Sequence, residues 1–86
     1  MASYSVLIVR SAEKEIAGLP EAIRRLVVQR IQALAHDPRP NGSQKISGGD
    51  QYRVRQGNYR IVYVIEDAVV TVTVVRVAHR SQVYRR

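Results

Sequence analysis

Gln51-Tyr52-Arg53-Val54-Arg55-Gln56-Gly57-Asn58-Tyr59-Arg60-Ile61-Val62-Tyr63 decides the fold of this chain, because side chains alternate in character on both sides of a glycine. A period of two is the period of a β-strand, so Arg53 and Arg55 point one way while Tyr52 and Val54 point the other. With Gly57-Asn58 as a two-residue turn, Gly57 supplies the positive φ of a type II′ hairpin and Arg55 lies opposite Arg60. Like charges facing each other across strands are mildly destabilising. Three guanidinium groups on one face are either a solvated outer surface or a site for a polyanion.

The segments around the hairpin read as a short series of elements. Residues 3 to 9 are β-branched and apolar on both faces, as in a strand. Ser11 is placed to cap a helix running to about Ala17, with Glu13 and Glu15 in its first turn, where the macrodipole favours acids; Gly18 ends it. Pro20 suits the first position of a second helix. There Ile23, Leu26, Val27, Ile31 and Leu34 form one apolar stripe against Arg24, Arg25 and Gln32. Residues 37 to 50, rich in Pro, Asn, Gly and Asp, are expected to be an irregular connection. Gly48-Gly49 lacks the surrounding pattern of a phosphate-binding loop and reads as turn chemistry.

Three strands follow, at about 51 to 56, 59 to 65 and 69 to 78, with a tight turn at Glu66-Asp67 or Asp67-Ala68. Alternation then collects Tyr52, Val54, Tyr59, Ile61, Tyr63, Ile65, Val70, Val72 and Val74 on a core face. The opposite face collects Arg53, Arg55, Arg60, Thr71, Thr73 and His79 among Val62, Val64, Val69, Val75 and Val77. A change of loop length would reverse part of this assignment. The expected class is α+β: a small single domain spanning residues 1 to 86, β-α-α-β-β-β, with a mostly antiparallel four-stranded sheet and two helices on one face.

Charge narrows the partners. Fourteen Lys and Arg against seven Asp and Glu give a net charge of +7. Residues 44 to 86 carry eight of those basic groups and three of the acids, and twelve of the fourteen are arginine, whose planar fork suits phosphate. Nucleic acid is the expected partner. A membrane surface fits less well, since it would want a basic amphipathic helix. With no cysteine and two histidines, His36 and His79, neither a disulfide framework nor a zinc site is supported. The acids near the arginine face, Asp50, Glu66 and Asp67, fall in turns, which argues against a two-metal centre, and no cofactor is expected. No apolar run approaches a membrane span, and the start Met1-Ala2-Ser3-Tyr4 lacks a signal pattern, so a cytoplasmic location is expected.

These residue types suit metal-free RNA cleavage, in which a ribose 2′-hydroxyl attacks the adjacent phosphorus and cations stabilise the developing charge. Arginine holds its proton too tightly to serve as a base. Arg53, Arg55, Arg60 and Arg80 can therefore grip phosphate, while His79 is the first candidate for proton transfer and Tyr84 the second.

Tyr52-Arg-Val-Arg, then Gly57-Asn58-Tyr59-Arg60-Ile61-Val62-Tyr63, then Val77-Ala78-His79-Arg80-Ser81-Gln82-Val83-Tyr84-Arg85, in this order and spacing, resemble the RelE/ParE toxin superfamily and in particular its RelE-type branch. The likeness covers nearly the whole chain. It implies a toxin of a type II toxin-antitoxin system that enters the ribosomal A site and cleaves translated mRNA, regulated by a cognate antitoxin protein. Carried over, Arg53 and Arg55 match the paired basic positions of the first hairpin strand and Arg60 the arginine of the Tyr-Arg-Ile/Leu-Val-Tyr motif. Arg80 matches the arginine closing the last strand and Tyr84 the C-terminal tyrosine. Lys45 matches a basic loop position that touches RNA, a role implied also for Arg53, Arg55 and Arg85. The best-known member has lysines where Arg53 and Arg55 stand, so the base role passes to His79. Strict alternation puts Arg80 on the core side, and a bulge or strand end near Ala78 must re-aim it. A ParE-type inhibitor of DNA gyrase and a non-catalytic RNA-binding module are the alternative functions.

Overall fold

A computed structural model describes residues 3–46 and 48–83. Along the chain run β1 (Ser5–Ile8), α1 (Arg10–Ala17), α2 (Glu21–Ala33), β2 (Gln44–Lys45), β3 (Gln51–Gln56), β4 (Tyr59–Glu66), β5 (Thr71–His79) and a short helix α3 (Arg80–Val83). The sheet order is β1-β5-β4-β3-β2, all antiparallel except that β1 runs parallel to β5. The α+β class is as expected. Its fifth strand is β2, two residues that pair with β3 inside the stretch expected to be irregular.

The hairpin forms as its alternation dictates. Gly57 has φ +61°, Asn58 keeps a negative φ as a type II′ turn requires, and Gln56 pairs with Tyr59 and Arg55 with Arg60. The β4–β5 connection is longer than the expected tight turn: a 3-10 turn over Asp67–Val69, then Val70 at φ +51°. Its length is even, so Ile65 still meets Val72 and Glu66 meets Thr71, and the side-chain faces survive the difference.

Val54, Ile61, Tyr63, Ile65, Val72 and Val74 are buried on one face against Ala12 and Ile16 of α1 and Val27, Ile31 and Leu34 beside and on α2. Burying an aliphatic side chain of this size contributes about 1.5–3 kcal/mol, so this layer is what holds so short a chain together. Leu26, expected in the stripe, is 48% exposed, and Val28 packs at the core margin instead. Residues 27, 31 and 34 follow one helical face, and position 26 lies about 100° of rotation away from it. Val70, expected in the core, is also exposed, because the turn carries it off the sheet.

Helix boundaries follow backbone geometry more than side-chain caps. Val9 is the residue preceding α1, and Ser11 lies within the first turn, leaving its expected cap unmade; only Glu13 of the two acids falls in that turn. Gly18 closes α1 and extended Pro20 precedes α2.

The decisive departure is in β5. Val62 pairs with Arg76 and Tyr63 with Val74, so Val75 has no counterpart on β4. This bulge reverses the alternation of everything after it. Val77 is buried in the core opposite Ile61, and His79 sits opposite Tyr59 on the helix side, not on the arginine face as alternation alone required. The re-aiming expected near Ala78 therefore occurs, three residues earlier.

Candidate functional site

Every sequence-derived site residue among the described positions lies on β2, on β3 to β5 or at the start of α3. Arg53 and Arg55 stand two apart on β3, and Arg55 faces Arg60 across the hairpin. Arg60 also pairs with Ala78. Because the Arg80 N–H bonds the Asn58 carbonyl at 2.7 Å, the same alternation makes Arg55 and Arg60 a non-hydrogen-bonded pair, whose Cα atoms approach to about 4.5 Å. Arg80 thus leaves the sheet at the end where the Gly57-Asn58 turn sits, exposed at the first position of α3.

Burial distinguishes the three hairpin arginines. Arg55 is exposed and Arg53 half-buried, whereas Arg60 is only 5% exposed, the one buried charged side chain among the described residues. Its Nε and Nη1 atoms are screened from solvent. Burying a permanent cation costs several kcal/mol unless its surroundings compensate, so such positions are retained where the charge has a use. Arg53 is held in place by Gln44, whose Oε1 accepts from Nη2 at 2.6 Å and from Nε at 3.2 Å. The two-residue strand β2, invisible in the sequence pattern, supports this arginine through Gln44.

His79 lies at the same end, on the helix side of the sheet. Its ring meets the Tyr59 ring edge-on, with centroids 5.4 Å apart. The Ser81 N–H donates to Nδ1 at 3.3 Å and the Ser81 hydroxyl lies 3.0 Å from the same atom. A backbone N–H can only donate, so Nδ1 is the acceptor in neutral His79 and the ring proton resides on Nε2. Ser81 was not singled out from the sequence, and only the turn into α3 brings it onto His79.

Two expectations for the site change. Lys45, expected in a loop that touches RNA, lies instead in β2, paired with Tyr52 on the helix side and away from the face of Arg53. His79 does not share that face either: it lies opposite Tyr59, on the helix side of the sheet. Tyr84 and Arg85 lie outside the described residues. Among the described residues there is no group of three or more His, Cys, Asp or Glu side chains placed to hold a metal ion, and no helix is long and apolar enough to cross a membrane.

At the opposite end of the sheet a polar network ties separate segments together. The Arg39 Nη2 donates to Asp67 Oδ2 at 2.8 Å and its Nε to the Tyr52 hydroxyl at 3.1 Å, while the Tyr4 hydroxyl donates to Asp67 Oδ1 at 2.6 Å. The Arg39 and Tyr4 hydrogen bonds hold the Asp67 carboxyl below the usual carboxylate range. Tyr63, stacked on Tyr52, is fully buried and donates to the Pro38 carbonyl at 2.8 Å; burial pushes its hydroxyl up to about 12. This network anchors the hairpin at the end opposite the Gly57 turn.

Comparison with known proteins places this architecture. The family model described as the ParE toxin of the type II toxin-antitoxin system, parDE, matches residues 6–84. The curated toxin RelG of Mycobacterium tuberculosis is 32% identical over 87 residues, covering 96% of this chain and 98% of that one. Toxin RelE of the same organism is 31% identical over 84 residues, covering 95% and 87%. Among solved structures, the isolated E. coli RelE toxin superposes with a TM-score of 0.79 at 29% identity, covering 95% of this chain and 92% of that one. The RelBE2 toxin-antitoxin complex of M. tuberculosis gives 0.80 at 28% identity, covering 91% and 99%.

Proposed function

The chain belongs to the ParE toxin family of type II toxin-antitoxin systems, within the RelE/ParE superfamily, and from that premise we propose that it is a ribosome-dependent, metal-independent endoribonuclease that cleaves mRNA in the A site. The observation that carries this reading is the pairing of Arg55 with Arg60, beside Arg53, at the end of the sheet where His79 and Arg80 emerge.

In the proposed reaction the ribose 2′-oxygen bonds to the adjacent phosphorus and the bond from phosphorus to the 5′-oxygen breaks, leaving a 2′,3′-cyclic phosphate and a free 5′-hydroxyl. One proton leaves the 2′-hydroxyl and one is delivered to the departing oxygen. Arg53, Arg55, Arg60 and Arg80 bind the phosphate and stabilise the extra negative charge of the pentacoordinate transition state. His79, through Nε2, is the proton-transfer group, with its ring oriented by Ser81 and Tyr59. Tyr84 is a second candidate for that work. Arg53, Arg55 and Arg85 extend the grip along the RNA. Lys45, on the other side of β2, supports only a peripheral contact.

A cognate antitoxin is the second partner in this reading, because an exposed cationic site must be covered when the toxin is idle. The RelBE2 complex is named as such a pairing in a relative. The ParE-type branch of the superfamily supplies the alternative function, inhibition of DNA gyrase. Inducing the chain in cells and mapping mRNA 5′ ends separates the two. In-frame cuts within translated regions are expected. Intact messages with a DNA-damage response would overturn the ribonuclease in favour of gyrase, and intact messages without one would leave a module that binds RNA and does not cut it.

A further inference from the structure

The last rung of the sheet on the β1 side is made by a side chain. β1 ends at Ile8 opposite Val74, and Val9 donates the final backbone bond on that side to the Val74 carbonyl at 3.0 Å. β5 continues to His79, and the bulge at Val75 follows at once. Beyond it, the alternation of an antiparallel pair turns the Val77 N–H away from β4, toward the side that β1 has vacated. Glu15 of α1 occupies that position: its Oε1 accepts the Val77 N–H at 2.7 Å, and its Oε2 lies 3.8 Å from the Arg76 Nε.

We infer that Glu15 is a positioning residue, a surrogate strand partner that fixes the bulged end of β5 and with it His79 and Arg80. A bulge loosens the strand that carries it, and residues 76 to 79 have β4 on one side only. A side-chain oxygen that accepts a backbone N–H satisfies it as the carbonyl of a neighbouring strand would, so one residue can replace a missing strand. His79 follows Val77 by two residues and Arg80 by three, the interval over which an error in strand position is passed on unchanged. The Arg76 contact is the lesser part, since both side chains are substantially exposed, at 49% and 35%, and such pairs contribute little. The consequence for catalysis rests on the ribonuclease reading; the consequence for the position of His79 does not.

The test combines ribosome-programmed mRNA cleavage with amide exchange and NMR on the same variants. Glu15→Ala is expected to lower kcat by about 10- to 100-fold with KM held within about twofold, the signature of misplacement by about 1 Å. It should also speed exchange of the Val77 amide and shift the His79 ring and Arg80 amide resonances. Glu15→Gln, which keeps a carbonyl acceptor, should stay within about threefold of the parent, and Arg76→Ala should resemble the parent on every readout. Should Glu15→Ala fail to fold, Glu15→Met keeps the apolar stem without the acceptor and takes its place. Unchanged Val77 protection, or a freed Val77 with unchanged kcat and His79 resonances, overturns the inference. So does a Gln variant as impaired as Ala, which would make the charge responsible. If the parent chain cuts no mRNA, the ribonuclease reading falls separately, and the Val77, His79 and Arg80 signals alone decide whether Glu15 holds the strand.

Discussion

Arg60 is where burial and charge meet most sharply. A 5% exposed guanidinium is a costly feature for a small fold, and its place between Arg55 and Ala78 ties it to both strands that build the site. Arg60→Ala is expected to reduce mRNA cleavage by about 10²- to 10³-fold, the usual loss for one preorganised electrostatic group, with circular dichroism confirming a folded chain. Arg60→Lys keeps the charge and loses the fork, so recovery of less than a tenth of the parent rate is the expected result. Full recovery would mean that charge alone matters. At the opposite extreme stands Val70, an exposed β-branched residue at φ +51°. A left-handed conformation costs a non-glycine residue about 1–2 kcal/mol, so Val70→Gly should stabilise the chain by up to about 1 kcal/mol once glycine's greater entropy loss is counted, as read by urea unfolding.

The hairpin β3–β4 was legible because two independent signals agreed, strict alternation and a glycine at the turn. Agreement of that kind also made α2 readable from the spacing of Val27, Ile31 and Leu34. The bulge at Val75 left no mark in the sequence, since Val74, Val75 and Val77 are interchangeable by composition and nothing local says which of them the facing strand will skip. That single unpaired residue moved His79 and Val77 across the sheet and explains why part of the site was assigned to the wrong face. β2 was unreadable for a different reason: two residues carry no period, and the strand is defined by what Gln44 does for Arg53. Its role is checkable. Gln44→Ala removes both hydrogen bonds to Arg53, and weaker RNA binding by about two- to tenfold is expected with stability nearly unchanged, because the contact is exposed. An equal loss in stability would assign Gln44 to folding instead. Gly57→Ala places a Cβ in open space yet forces φ +61° on an alanine, so a destabilisation of about 1 kcal/mol or more should appear through the backbone alone.

Over the whole molecule, the end of the sheet opposite the site sets the response to pH. The Tyr63 hydroxyl is raised to about 12 by burial, so the folded chain keeps a proton that the unfolded chain releases near 10. Its contribution is therefore fully present below pH 10 and is lost as pH rises toward 12; Tyr63→Phe should flatten the alkaline decline in melting temperature. Asp67 works in the other direction: its lowered carboxyl contributes above the ordinary carboxylate range and loses that contribution as acid protonates it, a decline that Asp67→Asn should remove. A mutant that tracks the parent across either limb would dissociate the network from stability. The parallel pairing of Ser5 with Thr71 has a further consequence, for biogenesis. The strand that must fill the gap between β1 and β4 is translated after both of them, and at 5–20 residues per second it reaches β1 roughly 3 to 13 s after that strand is made. A nascent chain arrested before Thr71 should be digested freely by protease, whereas one that has cleared the exit tunnel beyond His79 should resist. The cell is thereby given an interval in which the polypeptide exists and its harm does not.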